Sequence, residues 1–229
     1  MLEELKNEVC QANRRLAADG LAAWTFGNVS GIDRQGGNVV IKPSGLSCQE
    51  ITPAKMVVVS LGGEVVEGDL RPSSDTPTHL ALYRAFKDIG GIAHAHSTFA
   101  TAWAQARRDI PVLGTTHADY FRGPVPCTRA MRQEEILGDY EANTGKVIVE
   151  RLEGLDPALA PAVLVASHGP FTWGGSAMAA AEMSAVLEHV AMLASATIGI
   201  EPYPRPMAKA LLDRHFHRKH GPGAYYGQP

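Results

Sequence analysis

The 229-residue sequence predicts an α/β fold: a three-layer α-β-α sandwich with a central, mainly antiparallel sheet, in a single domain spanning residues 1–229. Two observations predict it. Segments with apolar residues at helical spacing alternate with short strand-like runs. Several of these runs are separated only by tight glycine-containing turns, which join antiparallel strands and disfavour a doubly wound parallel sheet.

The first half of the chain predicts one helix followed by two hairpins. Residues 2–19 carry apolar side chains at steps of three and four, the spacing of an amphipathic helix, and Gly20 ends it. Residues 27–42 contain two strand-like runs around a glycine-rich turn. The segments 56–60 and 64–67 repeat this pattern around a second such turn.

The second half predicts helices and short buried strands. We expect a short helix over 77–86 and then a buried strand over 91–96 that leads into a helix through Ser97. The segment 147–152 fits either a strand or a helix, and residues 163–166 form a strand. A long alanine-rich helix over 176–200 and a last helix over 207–219 follow. Because Glu182, Glu188 and His189 interrupt the long apolar stretch, we expect a buried helix rather than a membrane span.

The composition predicts a folded globular protein in a reducing compartment. Hydrophobic residues make up 45% of the chain and the net charge is −3. The basic run 215–220 is too short to indicate a nucleic-acid surface. The charged first residues lack the apolar core of a signal peptide, and the three cysteines are odd in number and far apart. We therefore expect a cytoplasmic protein with neither a membrane nor a nucleic-acid partner.

Three of the nine histidines follow predicted strands. His94 and His96 are two residues apart, so their imidazoles can point to the same face of a strand. His168 follows another strand, and Asp75 in a loop before a helix could add a carboxylate. Three imidazoles and one carboxylate suit zinc, and also manganese, iron or cobalt. A His-x-His pair alone is more often structural, and His79, inside a helix, is expected to be a packing or surface residue.

Three segments contain residue types that bind phosphate. They are the turn 42–45 at the end of the first hairpin, residues 27–30 at its start, and Ser73-Ser74 before a helix. Glycine allows close backbone approach, serine hydroxyls donate hydrogen bonds, and a helix N-terminus favours an anion. Each segment alone is more often an ordinary turn. Neither a P-loop nor a dinucleotide fingerprint is present, so nucleotides are not indicated.

Taken in order, these motifs resemble those of the class II aldolase family. The motifs are Asn28-Val29-Ser30, Ile41-Lys42-Pro43-Ser44-Gly45, the run from Pro72 to His79, His94-Ala95-His96-Ser97, the run from Gly114 to Tyr120, Ser167-His168-Gly169-Pro170, the run from Arg218 to Gly221, and Tyr225-Tyr226-Gly227-Gln228. The resemblance runs nearly end to end and implies a class II aldolase-like fold.

The resemblance also implies a role for each candidate site residue. The implied metal ligands are His94, His96 and His168, with Asp75 at the fourth, acidic position. The implied substrate-binding residues are Asn28, Lys42, Ser44, Gly45, Ser73, Ser74, Thr115, His215 and Arg218. Asp119 and Tyr226 are the implied acid and base, supplied by a neighbouring subunit of a homotetramer. Asp75 could instead carry protons, and which epimer each of Asp119 and Tyr226 serves is left open.

Within the family, the chain looks closest to the isomerases that invert C4 of a small phosphorylated ketopentose. The implied reaction is a zinc-assisted cleavage and re-formation of the C3–C4 bond, with Mn²⁺ or Co²⁺ as substitutes for zinc. It serves L-arabinose breakdown and at least one other sugar route. Three residues depart from the family pattern without touching its chemistry: Phe26, Ala95 and Arg122.

Two other functions compete with this one. A class II aldolase on the same scaffold would share the metal site and release its fragments. Asp75 in place of a glutamate, and the tail with Tyr226, favour the epimerase. A non-catalytic interaction domain of the same fold would not need the three histidines and Asp75 together.

Overall fold

The computed structural model describes residues 2–227, which form eight α-helices and seven strands. The helices are α1 (Glu3–Ala18), α2 (Thr76–Ala85), α3 (Thr98–Ala106), α4 (Thr115–Ala118), α5 (Gln133–Leu137), α6 (Tyr140–Arg151), α7 (Ala177–Ile200) and α8 (Lys209–Lys219). The strands are β1 (Asn28–Asp33), β2 (Asn38–Ile41), β3 (Val57–Ser60), β4 (Val65–Glu67), β5 (Gly91–His94), β6 (Ala162–Val165) and β7 (Gly169–Gly174). Gln228, the last residue of the tail motif, lies outside the described residues.

All seven strands belong to one antiparallel sheet with the order β4-β3-β2-β1-β5-β7-β6. The hairpins β1–β2 and β3–β4 lie on one side, and the hairpin β6–β7 on the other. The central strand β5 pairs with both sides, so that His94 lies opposite Asn28 of β1 and Phe171 of β7. The register therefore brings residues from three distant parts of the sequence to one end of β5.

Helices cover both faces of the sheet because successive strand residues point to opposite faces. Val29 and Ala93 pack in a core with α1 and α7. Val39 and Ile92 pack in a second core with α2 and α6. A third cluster joins α3 to α7 and β6. The predicted three-layer sandwich and antiparallel sheet are confirmed.

The predicted helices and hairpins are observed with shifts of at most two residues at their ends. The ambiguous segment 147–152 is resolved as the end of α6, which begins at Tyr140. Strand β7 was not predicted, because Gly169 and Pro170 resemble a turn. A proline lacks the N–H that a ladder needs, and inside a sheet it is normally confined to edges and strand starts. Pro170 is the second residue of β7, and its carbonyl accepts hydrogen bonds from the His94 side chain and from the backbone N–H of Ala95.

By length and hydropathy, α7 is the one helix within residues 2–227 that could span a membrane. Core helices of water-soluble proteins pass the same test. Side chains at helical spacing along one face of α7 pack into the core, including Ala177, Leu187 and Ala191. The expected buried helix is thus buried along one face, and Ile200 at its end is exposed.

Candidate active site

Three imidazoles meet where β5 ends and where β6 turns into β7. His94 is the last residue of β5, His96 lies two residues further on, and His168 lies in the β6–β7 turn. Their ligand-capable nitrogens all lie within 4.8 Å of one another. Within residues 2–227, these three histidines are the one group of His, Cys, Asp or Glu side chains that lie close enough together to hold a metal ion.

The hydrogen bonds of His94 prepare it to bind a metal. Its Nδ1 donates to the carbonyl of Pro170 at 2.9 Å, so its Nε2 carries the free lone pair. That Nε2 faces Nε2 of His96 at 3.0 Å. Zinc–nitrogen bonds of about 2.0–2.1 Å in a tetrahedron place ligand nitrogens roughly 3.3 Å apart. The donor set and its spacing therefore fit a divalent metal ion.

Burial keeps the three imidazoles neutral. Loss of solvent is the largest influence on each and lowers the pKa of His94, His96 and His168 below the ordinary value for histidine. The negative charge of Asp75 opposes this shift without reversing it. Only the neutral imidazole can bind a metal, so the cluster is in its ligand form at neutral pH.

Asp75 precedes α2 and lines the same pocket, beside the tight imidazole cluster. Burial favours its protonated form, but the attraction of His94 and His79, in the acidic range where those rings become protonated, and a hydrogen bond from Asn28 outweigh burial and lower the pKa of Asp75. The Asn28 amide donates to Oδ2 at 2.6 Å. Asp75 is therefore a buried carboxylate facing the pocket, suited either to a metal or to a proton.

His79 is a packing residue, as expected, and it belongs to a buried polar chain. Its Nδ1 lies 2.7 Å from Oγ of Ser30, which in turn lies 2.8 Å from the Tyr83 hydroxyl. Full burial lowers the pKa of His79 to about 4, so the ring is neutral. Its Nε2 has no hydrogen-bond partner within residues 2–227.

The pocket in front of the imidazoles has a volume of about 400 Å³. Its lining includes the residue types that bind phosphate, namely Asn28, Lys42, Ser44, Gly45, Ser73 and Ser74. Lys42 is 2% exposed, and its ammonium donates to the Thr25 carbonyl at 3.2 Å. Burial lowers the pKa of Lys42. A buried cation, serine hydroxyls and a glycine in the left-handed region (Gly45, φ +74°) together suit a small anion.

Four residues that line the pocket were not predicted from the sequence: Thr25, Phe26, Tyr140 and Glu141. The Tyr140 hydroxyl lies 3.4 Å from Nδ1 of His168, and the Phe26 ring lies 5.6 Å from the His96 ring. Tyr140 and Glu141 begin α6, a helix start that was also not predicted. A sequence signal for this start exists in Asp139, a residue type common at helix N-caps.

Asp119 lies in a second group of polar side chains. Its Oδ1 accepts from Nδ1 of His215 at 3.0 Å and from Nε of Arg218 at 2.9 Å, and its Oδ2 accepts from Nη2 of Arg218 at 2.5 Å. Burial opposes ionisation, but the hydrogen bonds from Arg218 and His215 outweigh it and lower the pKa of Asp119. The ring of Tyr226 packs under the Arg218 guanidinium at 4.7 Å.

The predicted site residues thus fall into two groups. Asp119, His215, Arg218 and Tyr226 lie together, and none of them lines the imidazole pocket within the described chain. Thr115 begins the short α4, which leads to Asp119, and lines a separate cavity of about 260 Å³. The remaining candidates all line the imidazole pocket.

This fold and this imidazole pocket define a member of the class II aldolase family. Residues 7–195 match the sequence model described as "Class II Aldolase and Adducin N-terminal domain", and the chain belongs to that family. It is 53% identical over 227 residues to L-ribulose-5-phosphate 4-epimerase UlaF of Salmonella paratyphi C, with 99% of this chain and 100% of that protein covered. The same values hold for L-ribulose-5-phosphate 4-epimerase UlaF of Salmonella typhi.

Solved structures agree in fold. An L-fuculose 1-phosphate aldolase superposes with a TM-score of 0.79 at 26% identity, covering 94% of this chain and 95% of that chain. The L-fuculose-1-phosphate aldolase from Thermus thermophilus has a TM-score of 0.70 at 23% identity, covering 88% of this chain and 98% of that chain.

Proposed function

We propose that this chain is an isomerase that interconverts L-ribulose 5-phosphate and its C4 epimer, D-xylulose 5-phosphate. One observation carries the proposal: three neutral imidazoles share a pocket with buried Lys42 in a chain 53% identical over nearly its full length to L-ribulose-5-phosphate 4-epimerases. The arrangement suits a small phosphorylated ketose.

Inversion at C4 by simple deprotonation is unfavourable. The C4 proton is not adjacent to the C2 carbonyl, so its loss gains no enolate stabilisation. Cleavage of the C3–C4 bond instead yields the enediolate of dihydroxyacetone and glycolaldehyde phosphate. When the aldehyde rotates and the enediolate attacks its other face, the C3–C4 bond re-forms with C4 inverted. The product is an isomer of the substrate with no net oxidation or reduction, so the reaction needs no redox cofactor.

His94, His96 and His168 are the proposed ligands of a divalent metal, zinc in the first instance, with Mn²⁺ or Co²⁺ as substitutes. The ion, when bound, supplies Lewis-acid charge that stabilises the developing oxyanion. Asp75 is proposed either as a further ligand or as a proton carrier. Its hydrogen bond from Asn28 supports both roles, because it orients the carboxylate and keeps it ionised.

The phosphate is proposed to bind Lys42, the turn residues Ser44 and Gly45, and the serines Ser73 and Ser74 before α2, with Asn28 beside them. The phosphate stays on the aldehyde fragment after cleavage. Contacts that hold it therefore keep that fragment in the pocket until the bond re-forms, which separates an epimerase from an aldolase.

Proton transfer to and from the C4 hydroxyl is proposed for Asp119 and Tyr226, supplied by a neighbouring subunit of a homotetramer. Support comes from their separation from the imidazole pocket of their own chain and from the 59% exposure of Tyr226. His215 and Arg218 hold Asp119 as a carboxylate, the form that accepts a proton. Thr115, at the start of the short helix that leads to Asp119, would reach the substrate in the same way.

We also propose that each chain acts as one catalytic domain in the cytoplasm, in carbohydrate metabolism that includes L-arabinose breakdown. All three cysteines are buried and free, as expected in a reducing compartment. An aldolase that releases its fragments is the weaker alternative. The similarity to L-fuculose 1-phosphate aldolases is at 26% identity or below, against 53% for the epimerases.

The test is incubation of the purified protein with L-ribulose 5-phosphate, followed by separation of the products. We expect D-xylulose 5-phosphate without accumulation of glycolaldehyde phosphate. Removal of the metal by a chelator should abolish turnover, and added Zn²⁺ should restore it while the fold persists. Free glycolaldehyde phosphate as the main product would establish the aldolase instead. Full turnover by metal-free protein would contradict the assignment of the imidazoles.

A further inference from the structure

Glu188, in the middle of α7, reaches across to the first turn of α3. Its Oε1 accepts from the backbone N–H of Phe99 and its Oε2 from that of Ala100, both at 2.8 Å. The first N–H groups of a helix have no partner within the helix, and Ser97 at the N-cap position makes no side-chain cap. A carboxylate from another helix therefore caps α3, where the helix dipole also favours negative charge.

After His96, the next part of the chain that tertiary contacts hold in place is the first turn of α3, which Glu188 caps. His94 is held by ladders on both sides and by its bond to the Pro170 carbonyl. His96 lies beyond the end of β5 and is followed directly by Ser97 and the start of α3. Its backbone position therefore depends on where the first turn of α3 is held.

The other end of α3 contacts the residue before His168. The carbonyl of Ala104 accepts from the backbone N–H of Ser167 at 2.8 Å, and Nε of Arg107 donates to Oγ of Ser167 at 3.0 Å. Ser167 has φ +64°, a left-handed conformation that is unfavourable for serine and needs such support. One helix thus links the backbone of His96 to that of His168.

We propose that Glu188 is a positioning residue for the metal site. By fixing the first turn of α3 on α7, it holds His96 at the spacing from His94 and His168 that a divalent ion requires. This inference rests on the proposed function in one respect, that the three imidazoles bind a metal. It adds a residue that touches neither metal nor substrate and acts through the backbone of α3.

The first test compares Glu188→Gln with Ser195→Ala. Glutamine keeps the size of the side chain but turns an NH₂ donor towards a backbone N–H donor. Ser195→Ala removes a different α3–α7 contact, the 2.9 Å hydrogen bond from Nε1 of Trp103, and leaves the first turn intact. The measurements are the dissociation constants for Zn²⁺ and Co²⁺, the visible spectrum of the Co²⁺ protein, and the free energy of unfolding of the metal-free protein.

We expect Glu188→Gln to weaken metal binding by at least about 10-fold, the lower end for residues that orient metal ligands, and to change the Co²⁺ spectrum. Ser195→Ala should lower stability while leaving the affinity and the spectrum at the wild-type values. Equal metal affinity in wild type and Glu188→Gln, whatever the loss of stability, overturns the inference. That result leaves the proposed function intact as long as the wild-type protein binds metal and epimerises L-ribulose 5-phosphate. A wild-type protein that binds no divalent ion overturns both.

A second test restores the cap from within α3. Ser97 has the extended backbone of an N-cap, and an aspartate there can accept from the second and third helical N–H groups, those of Phe99 and Ala100. Glu188→Ala alone should weaken metal binding relative to wild type. The double variant Ser97→Asp/Glu188→Ala should lose much less affinity relative to the Ser97→Asp single variant, because the aspartate caps the helix in place of Glu188. If the two losses are equal and both variants fold, the helix start does not transmit the effect and the inference fails.

Discussion

At the scale of single residues, Lys42 shows how burial prepares a polar pocket for a ligand. Its ammonium is almost fully buried, and one of its three donors is used by the Thr25 carbonyl at 3.2 Å. A buried cation is unfavourable unless it is paired. The same pocket holds serine hydroxyls and a left-handed glycine but no second lysine or arginine among the described residues. Asp75 lines the same pocket and partly offsets the effect of burial on the pKa of Lys42, and a bound phosphate would add a second counter-charge.

Lys42→Met should therefore weaken binding of the phosphorylated sugar. A hydrogen bond to a charged group contributes roughly 1.5–3 kcal/mol, so we expect KM to rise about 10- to 100-fold with a smaller change in kcat. The measurement is steady-state kinetics with L-ribulose 5-phosphate. Lys55→Met is the matched control, because Lys55 also donates to a backbone carbonyl, at 2.8 Å, but is exposed and outside the pocket. An unchanged KM in Lys42→Met would contradict the assignment.

At the scale of elements, the approach of β5 to α7 depends on glycine. A Cβ at Gly91 would lie 2.3 Å from the Ser176 carbonyl oxygen and 2.4 Å from the Ala177 nitrogen, both backbone atoms. Ser176 caps α7, accepting from the Ala179 N–H at 3.2 Å. The strand that ends in His94 thus begins against the start of the longest helix, with no space for a side chain between them.

Gly91→Ala should destabilise the fold because neither the strand nor the helix start can move without breaking its hydrogen bonds. We expect the free energy of unfolding to fall by at least about 2 kcal/mol, from urea denaturation. Gly175→Ala is the control. Gly175 is near in sequence to the same helix start, but a Cβ there meets no atom within 4 Å and its φ is not left-handed. Its effect should stay within about 0.5 kcal/mol. Equal effects of the two substitutions would refute the role of the close approach.

At the scale of the whole molecule, the residues implied for one reaction lie in two separate groups. The imidazole pocket holds the metal and phosphate candidates, whereas Asp119 and Tyr226 lie with α8 and the tail. The tail tyrosines Tyr225 and Tyr226 are both exposed, an unfavourable position for large aromatic side chains. A second copy of the chain that covers the tail would unite the two groups and bury these rings.

Subunit mixing tests this arrangement. His96→Asn and Tyr226→Phe should each be inactive alone. When the two variants are unfolded and refolded together, about a quarter of the interfaces in a randomly mixed ring should pair an intact metal site with an intact tail. Activity should rise to a comparable fraction of wild type. Refolding each variant separately and then combining them is the control. Mixed protein as inactive as its parents would place the whole site within one chain.

Much of the fold was predictable because it depends on local patterns. The spacing in α1, the two glycine-rich hairpins and the apolar run before His94 each predict an element that is observed. The failures occurred where local signals pointed elsewhere. Gly169-Pro170 is typical of a turn, yet Pro170 lies in β7, where its carbonyl accepts hydrogen bonds from His94 and Ala95. The start of α6 at Tyr140 was not predicted, so neither was the position of Tyr140 near His168.

By itself, the sequence determined most of the helices, the hairpins and their antiparallel joining, because these depend on neighbours only a few residues apart. Tertiary structure alone decided which distant residues meet. The pairing of β5 with β7 brings His168 to His94. Contact between α3 and α7 gives Glu188 its place beside Phe99. Contact with α8 gives Asp119 its partners His215 and Arg218, outside the imidazole pocket of its own chain within residues 2–227. Such meetings follow from packing the whole chain, and no local spacing encodes them.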